Sequence, residues 1–141
     1  EALEGVYSLM SWYWNMEGFA DQAIVDAATE FATKFQNRYG YAPDPYSAMA
    51  YQGVKEAVRG IELAQSTEGT DIAKALRENP NFDSMRGPGI WREDHEPIFK
   101  YGAFVVQGKA ADERTGEWDL VRIIDAYQGA DYLPSLEMLG Y

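Results

Sequence analysis

The chain has 141 residues, a formal net charge of −11 and a sequence pI of about 4.4. This length allows one domain with its own core. The acidity argues against nucleic acid and anionic membranes as partners, because both need a basic protein surface. Cysteine is absent, which excludes disulfides, thiol catalysis and cysteine metal sites. Aromatic residues make up 14% of the chain, so large rings either fill a core or line a binding site.

The start of the chain does not resemble a signal peptide. Glu1 is followed closely by strand-like sequence, with no basic start and no long apolar run. No stretch approaches the roughly 18 to 20 apolar residues of a membrane-spanning helix. We expect the 141 residues to be one part of a longer protein, whose signal sequence is not in this chain.

The first third predicts a strand followed by a long helix. Residues 6–14 are rich in apolar and aromatic side chains and predict a buried strand that runs into an aromatic segment. A helix is predicted over 21–39 and ends at Gly40, where a left-handed C-cap is expected. Its apolar residues recur at helical spacing on one face: Ile24, Ala28, Phe31 and Phe35.

The middle third predicts two helices after a proline break. Pro43-Asp44-Pro45 predicts an extended connector, because proline disfavours helix in the residue before it. A helix over 46–63 is expected to bury an apolar stripe formed by Ala50, Val54, Ala57 and Ile61. A polar loop and a shorter helix over 71–78 follow. Thr70 is the expected cap of that helix, and its inward residues are expected to be Ile72, Ala73 and Leu76.

The last third is predicted to be rich in strands. Turn residues at 86–89 precede a short strand at 90–91. Alternating sequences then predict strands at 99–107 and 118–124, with a charged loop between them. The order of strand and helix, then two helices, then two strands indicates an α/β or α+β chain.

The only cluster that mixes histidine with carboxylates is Asp94-His95-Glu96. Neighbours on an extended segment point in different directions, and zinc would need further His or Cys ligands, so a solvated turn is the favoured interpretation. A serine hydrolase would need His95 as its base, yet no Gly-x-Ser-x-Gly elbow is present. Carboxylate pairs for glycoside chemistry have almost no specificity among 23 acidic residues. No nucleotide fingerprint follows the glycines at 87–89.

Aromatic side chains are better candidates for a binding site. Trp12, Tyr13 and Trp14 lie where the first predicted strand ends, and strand ends of α/β sheets are where ligand crevices form. The alternative is that these rings only pack in the core. Tyr51 lies in the first turns of the second helix, where its hydroxyl either hydrogen-bonds a ligand or seals the core edge.

Five segments follow one another in a familiar order: GVYSLMSWYWN, FATKFQNRYGYAPDP, YSAMAYQGVKEAVRGIELA, DSMRGPGIWREDHEP and YGAFVVQGKAADERTGEWDLVRII. They resemble the C-terminal part of periplasmic solute-binding proteins of the leucine/isoleucine/valine-binding family, which are type I receptors of ABC transporters. The markers include a helix that ends in aromatic-Gly-x-x-Pro and Tyr51 in an Ala-rich helix start. The chain departs from the family by lacking its N-terminal portion, and the family varies widely at His95-Glu96.

The resemblance implies an α/β fold class, as the C-terminal portion of a two-lobe type I periplasmic-binding-protein fold that is incomplete on its own. Such receptors trap a ligand between two lobes by hinge closure. Residues 1–42 are then expected to end lobe two, 43–97 to return to lobe one, and 98–141 to supply the final lobe-two strands and tail. The hinge crossings are expected at Pro43, Asp44 and Pro45 and at Glu96 and Pro97.

The family's ligand contacts can be carried over by position. Tyr13 and Trp14 fall on the lobe-two strand end that faces the cleft. Tyr46 and Ser47 fall on the lobe-one rim. Tyr51 falls on a helix-start tyrosine that meets the ligand in some relatives.

The implied function is solute binding outside the cytoplasm, without enzymatic activity and without a cofactor. The expected ligand is a small amino-acid-like, aromatic or amphipathic metabolite, and the expected location is periplasmic or extracellular, free or tethered to the membrane. The expected partners are this ligand, an ABC permease and the missing N-terminal part of the receptor, but not nucleic acid. The alternative is a sensory ligand-binding domain of the same fold that feeds a signalling partner. A small stand-alone hydrolase is the least favoured hypothesis.

Overall fold

In the computed structural model, residues 3–131 and 133–141 are described, so Glu1, Ala2 and Tyr132 of the predicted segments 1–42 and 98–141 lie outside the described residues. The described chain mixes helices and strands, as predicted. The elements in chain order are β1 (Tyr7–Met10), α1 (Gln22–Tyr39), α2 (Pro45–Ala64), α3 (Gly69–Glu78), β2 (Asn81–Phe82), β3 (Gly89–Trp91), β4 (Pro97–Phe99), β5 (Tyr101–Gly108), a 3₁₀ turn (Ala111–Glu113), β6 (Val121–Gln128) and α4 (Leu136–Leu139).

The strands of the described chain form two antiparallel sheets of three strands each. The larger sheet has the order β1-β5-β6, with Ser8 opposite Val106 in its first pair. The smaller sheet has the order β2-β3-β4, with Ile90 opposite Ile98. The pair of closing strands around a charged loop and the short strand near Ile90 were therefore predicted, whereas β2 and β4 were not, and Phe99, predicted to begin the first closing strand, ends β4.

Helix α1 follows its prediction closely. Gly40 has a φ of 82° and its N–H donates to the carbonyl of Gln36 at 2.8 Å, which is the left-handed C-cap that glycine favours. Ile24, Ala28 and Phe31 are buried on the predicted face. Local signals were sufficient here because the cap and the periodic face lie within one helix.

The main core lies between α1 and the larger sheet. Phe104 and Val106 of β5 are fully buried and belong to the same cluster as the apolar face of α1. Trp12, in the segment after β1, meets the ring of Phe31 edge-on with 5.7 Å between ring centroids. The same core cluster also includes Ala48, which lies on α2, and Met85, which lies between β2 and β3.

The prediction that β1 is buried was wrong. The strand covers only four residues, and Tyr7 is 62% exposed. The reason is that β1 pairs with β5 on one side only and so lies at the edge of its sheet. The buried residues of this region, Trp12 and Tyr13, follow the strand.

Helix α2 begins at Pro45, and the Asp44 carboxylate caps it by accepting a hydrogen bond from the Ser47 N–H at 2.7 Å. The predicted apolar stripe was wrong in its burial, because all four residues are exposed and Val54 is 65% exposed. The residues that α2 buries are Ala48, Glu56 and Gly60. Periodicity identifies residues that share a face, but it does not say what covers that face.

Two further boundaries differ from prediction. Helix α3 begins at Gly69, with Glu68 rather than Thr70 at the capping position. Ala75 is its buried residue, whereas Ala73, predicted to face inward, is exposed. Strand β6 covers Val121–Gln128 rather than 118–124, because the chain still turns before Val121.

Candidate ligand-binding site

The segment after β1 is tied to the turn that precedes β6. The Tyr13 hydroxyl donates to the carbonyl of Trp118 at 3.2 Å and accepts from the N–H groups of Leu120 at 2.9 Å and Val121 at 3.3 Å. The indole Nε1 of Trp14 donates to the same carbonyl at 3.1 Å. Two neighbouring aromatic residues thus fix the position of a turn more than 100 residues away in the sequence.

Tyr13 is buried, and its hydroxyl uses its one donor and both acceptor positions on the backbone. Burial raises the pKa of this hydroxyl, and hydrogen bonds from Val121 and Leu120 oppose part of that rise. The structure therefore gives Tyr13 a role in positioning Trp118. The ligand contact expected of Tyr13 stays a prediction.

An exposed aromatic surface lies beside Trp14 and consists of Tyr39, Tyr41 and Trp118. The rings of Tyr41 and Trp118 have centroids 6.5 Å apart, which joins the end of α1 to the turn before β6. The ring of Phe35 packs against two rings of this aromatic surface, with centroid distances of 4.6 Å to Tyr39 and 5.4 Å to Tyr41. Sequence reasoning missed it, although a tyrosine on each side of Gly40 was a visible signal.

Asp119, next to Trp118, is fully buried and was not singled out from the sequence. Its carboxylate accepts hydrogen bonds from Lys109 Nζ at 2.6 Å, Asn15 Nδ2 at 2.9 Å and the Thr115 hydroxyl at 2.9 Å. Burial acts to raise the pKa of Asp119, but these hydrogen bonds outweigh it and lower the pKa to about 2. The ionised carboxylate therefore holds the loop that presents Trp118.

The other predicted ligand residues lie on α2. Tyr46 is 78% exposed, Ser47 is partly buried in the first turn, and Tyr51 is exposed at the edge of the core. The Tyr51 ring lies 4.8 Å from the ring of Phe31, and Lys55 Nζ lies 5.8 Å from its centroid. Because 3.6 residues make one turn, Tyr46 and Tyr51 project in directions about 140° apart.

The five predicted ligand residues thus form two groups. Within residues 3–131 and 133–141, no hydrogen bond or ring contact joins Tyr13 or Trp14 to the α2 group of Tyr46, Ser47 and Tyr51. One group lies beside the aromatic surface, and the other lies on the first two turns of α2.

The expected hinge residues lie in two kinds of structure. Pro43 and Asp44 lie in the connection from α1 to α2, with Pro43 buried, and Pro45 is the first residue of α2. Glu96 lies in the turn of the β3–β4 hairpin, where its carbonyl accepts from the Arg92 N–H at 3.0 Å, and Pro97 begins β4.

The β3–β4 turn does not link the two sheets, because both of its strands belong to the smaller sheet. The predicted boundary between residues 97 and 98 falls inside β4. The chain passes from the smaller to the larger sheet at Lys100, whose ammonium group donates to the Asp21 carboxylate at 2.6 Å. Lys100 is therefore the single residue that separates the last strand of the smaller sheet from the next strand of the larger sheet.

His95 is exposed and has a φ of 70°, in the turn expected from the sequence. The neighbouring Asp94 is paired with Arg92, and this hydrogen bond lowers the pKa of Asp94. In the part of the chain that the structure describes, no group of three or more His, Asp or Glu side chains is arranged to hold a metal ion. Among the same residues, no helix has both the length and the apolar character needed to cross a membrane.

Residues 1–113 match the model of the family described as periplasmic binding protein. The chain belongs to the periplasmic binding protein family. The family consists of solute-binding proteins, and its name implies a periplasmic location. A search among curated proteins finds none that matches this periplasmic binding protein chain.

Solved structures share the fold of this periplasmic binding protein over nearly its whole length. An amino acid ABC transporter substrate-binding protein from Pseudomonas fluorescens Pf-5 is 24% identical with a TM-score of 0.79, covering 98% of this chain and 34% of that one. A periplasmic binding protein from Burkholderia mallei is 21% identical with a TM-score of 0.75, covering 92% and 32%.

A third match is a solute-binding protein of an ABC transporter from Rhodopseudomonas palustris BisB5, in complex with 3,4-dihydroxybenzoic acid. It is 13% identical with a TM-score of 0.69, covering 92% of this chain and 32% of that one. The chain therefore spans about a third of the length of the structures it matches. These matches confirm the prediction that the chain is part of a two-lobe type I periplasmic-binding-protein fold.

Proposed function

We propose that this chain is the C-terminal part of a receptor that binds a small solute outside the cytoplasm and delivers it to an ABC permease. The observation that carries the proposal is the family match over residues 1–113. The receptor binds its ligand and does not convert it, so it needs no cofactor. Its proposed location is the periplasm or the cell exterior.

The proposed ligand is an amino-acid-like or aromatic metabolite. Aromatic side chains supply contact area, and a few polar groups fix orientation in such sites. The proposed contacts are the two groups described above: Tyr13 and Trp14 beside the aromatic surface, and Tyr46, Ser47 and Tyr51 on α2. Support comes from similar structures, one of an amino acid transporter protein and one in complex with an aromatic acid.

Hinge closure is the proposed mechanism, because the two groups of residues lie on separate parts of the chain and closure brings such parts together around a ligand. The proposed crossings are Pro43, Asp44 and Pro45 and, before the passage between the two sheets at Lys100, Glu96 and Pro97. The proposed lobe assignment is 1–42 and 98–141 for lobe two and 43–97 for lobe one.

The missing N-terminal part of the receptor is the proposed partner of α2. The α2 stripe of Ala50, Val54, Ala57 and Ile61 is apolar, continuous along the helix and exposed. An amphipathic helix normally turns such a stripe toward a core. Because the chain spans about a third of the matched structures, the remaining two thirds supply enough structure to cover it.

Tyr46→Ala tests the ligand site. A thermal-shift screen of the full-length receptor against amino acids and aromatic acids first identifies the ligand, since binding raises the melting temperature. Calorimetry is then expected to show affinity at least about tenfold weaker for Tyr46→Ala, because a large contact ring is lost. Stability should hardly change, since Tyr46 is 78% exposed.

The matched control is Tyr7→Ala, which removes an exposed tyrosine from the edge strand β1 and should leave affinity unchanged. Equal affinity of Tyr46→Ala and wild type would remove Tyr46 from the site. A receptor that binds a solute but activates a signalling partner instead of a permease would favour the sensory alternative.

A further inference from the structure

The connection between β2 and β3 leaves the smaller sheet and packs on the larger one. Both strands belong to the smaller sheet, but Met85 in this connection is 6% exposed and belongs to the core cluster of α1 and the larger sheet. The next three residues, Arg86, Gly87 and Pro88, form a turn that we call the wedge turn. The Ser84 hydroxyl fixes this turn, because it donates to the Gly87 carbonyl at 2.6 Å and accepts from the Arg86 N–H at 3.0 Å.

The wedge turn is hydrogen-bonded to the passage between the two sheets. The Lys100 N–H donates to the Pro88 carbonyl at 2.9 Å, and the Tyr101 N–H donates to the Arg86 carbonyl at 3.0 Å. The Arg86 guanidinium also donates to the Gly102 carbonyl at 3.2 Å. A rotation between the two sheets at the passage must therefore strain or break these hydrogen bonds.

Lys100 is also held from the side of the larger sheet. Its carbonyl accepts from the N–H of Gly129, which follows β6, at 3.1 Å. Its ammonium group donates at 2.6 Å to the carboxylate of Asp21, the N-cap residue of α1. Because partners on both sides hold this one residue, the passage is a joint with a preferred angle and not a free linker.

The wedge turn fits against Lys100 because its central residue is glycine. Gly87 has a φ of 90°, which residues with a side chain rarely adopt. A Cβ atom on Gly87 would lie 2.8 Å from Cβ of Lys100 and 3.3 Å from Cδ1 of Ile24. Any side chain at this position must therefore push the turn away from the passage.

We infer that the wedge turn is a stop at the second crossing, which sets the angle between the two lobes and limits how far they rotate. This inference rests on the proposed function, because it treats the rotation as the proposed closure. In the proposed assignment the wedge turn belongs to lobe one, whereas Lys100 and its partners Asp21 and Gly129 belong to lobe two. Gly87 and Lys100 are positioning residues, since both lie outside the proposed ligand contacts.

The test measures the lobe angle as a distance in the full-length receptor without ligand. Spin labels are placed on cysteines introduced at Asn37 of α1 and Lys74 of α3, which are both exposed, in a receptor otherwise free of cysteine. Pulsed electron spin resonance is expected to give one narrow distance for the wild type. Gly87→Ala is expected to shift this distance, because the added Cβ displaces the wedge turn from the passage.

Gly18→Ala is the matched control for Gly87→Ala. Gly18 also has a positive φ, of 79°, but its added Cβ meets no atom within 4 Å. The control therefore carries the same kind of backbone strain without a contact at the passage, and it should keep the wild-type distance. Equal distances for the two variants would overturn the inference.

Lys100→Met decides the question if Gly87→Ala does not fold. It removes the hydrogen bond to Asp21 and keeps the apolar part of the side chain, so the population at other distances should rise about three- to tenfold, as for one lost hydrogen bond. Lys34→Met is its control, because it removes an exposed ion pair with Glu30 within α1, away from the passage. Wild-type distances in Lys100→Met together with a lower melting temperature would mean a purely structural role and would overturn the inference.

Solute binding is a separate measurement by calorimetry on the wild-type receptor. A receptor that binds no solute would contradict the proposed function, while the distances without ligand still decide whether the wedge turn sets the angle. Each proposal can therefore fail alone.

Discussion

At the residue scale, the buried carboxylate of Asp119 organises the loop that presents Trp118. It accepts hydrogen bonds from Lys109, Asn15 and Thr115, and the Lys109 ammonium group is itself largely buried. Removing one member of such a pair leaves an uncompensated buried charge, which typically destabilises a protein by several kcal/mol. Asp119 is thus expected to matter more for stability than exposed charges do.

Asp119→Asn is therefore expected to lower the free energy of unfolding at pH 7 by about 3 kcal/mol, because Lys109 loses its counter-ion. The pKa of Asp119 is about 2 in the folded protein and 3.8 in its ordinary state. Because the pKa of Asp119 is lower in the folded protein, its ionisation stabilises the fold above pH 4. This contribution to the free energy of unfolding, about 2 kcal/mol, is lost as the pH falls toward 2. Urea unfolding from pH 2 to 7 should therefore show that the stability of Asp119→Asn falls less steeply with acid than that of the wild type.

The control for Asp119→Asn is Glu30→Gln, which removes an exposed carboxylate paired with Lys34. Exposed pairs of this kind contribute little to stability, so no measurable change is expected at pH 7. If Asp119→Asn unfolds with the wild-type midpoint at pH 7, the buried pair does not stabilise the fold.

The importance of Asp119 was not visible in the sequence. It is one of 23 acidic residues, and its partner Asn15 lies 104 positions away. Tyr13 was singled out as an aromatic residue at a strand end, but its hydrogen bonds to the turn before β6 span a similar distance. Sequence patterns identify residue types, whereas these roles arise from contacts between distant segments.

At the scale of elements, the packing of α2 on α3 depends on a glycine. A Cβ atom on Gly60 would lie 2.7 Å from the Cγ2 atom of Ile72 and 3.2 Å from Cγ of Leu76. Both contacts are closer than ordinary van der Waals distances, and the β-branched side chain of Ile72 has few alternative rotamers. The close approach of the two helices therefore requires glycine at this position.

Gly60→Ala is expected to lower the free energy of unfolding by about 1 kcal/mol. Overpacking costs about 1 to 3 kcal/mol, and the better helix propensity of alanine recovers only about 1 kcal/mol. Gly53→Ala on the same helix is the matched control, because its added Cβ meets no atom within 4 Å. That change should stabilise by about 0.5 to 1 kcal/mol in denaturant unfolding. Equal effects of the two substitutions would show that the α2–α3 contact is not tight at Gly60.

The elements themselves were largely predictable, but their surroundings were not. Helix α1 was predicted with its C-cap and its buried face, since both signals are local. The four residues of the α2 stripe share one face of the helix as predicted, but the prediction that they are buried was wrong, because burial depends on structure beyond the helix. Strand β2 was missed because two residues give no period to read.

At the scale of the whole molecule, the exposed α2 stripe provides a test of the proposed N-terminal partner. Val54→Asp places a charge on the stripe. In the isolated chain it should change the free energy of unfolding by less than about 0.5 kcal/mol, because Val54 is 65% exposed. In the full-length receptor it should destabilise by about 3 kcal/mol or more, since the proposed N-terminal part would bury the charge.

Val6→Asp is the matched control for Val54→Asp, because Val6 is also exposed but lies just before β1 and away from the stripe. It should have a small effect in both proteins. Thermal unfolding of the four variant proteins beside the two wild types measures these differences. A small effect of Val54→Asp in the full-length receptor would mean that the stripe stays uncovered there.

The pairing of β1 with β5 also sets the order in which this chain can fold. About 90 residues separate the two strands, and the hydrogen bond from Leu120 to the Tyr13 hydroxyl spans 107 positions. During synthesis from the amino terminus, the larger sheet therefore cannot close until the last quarter of the chain has emerged. Helices α1, α2 and α3 lie earlier in the chain and depend mainly on local contacts, so they can form before the β1–β5 pairing does.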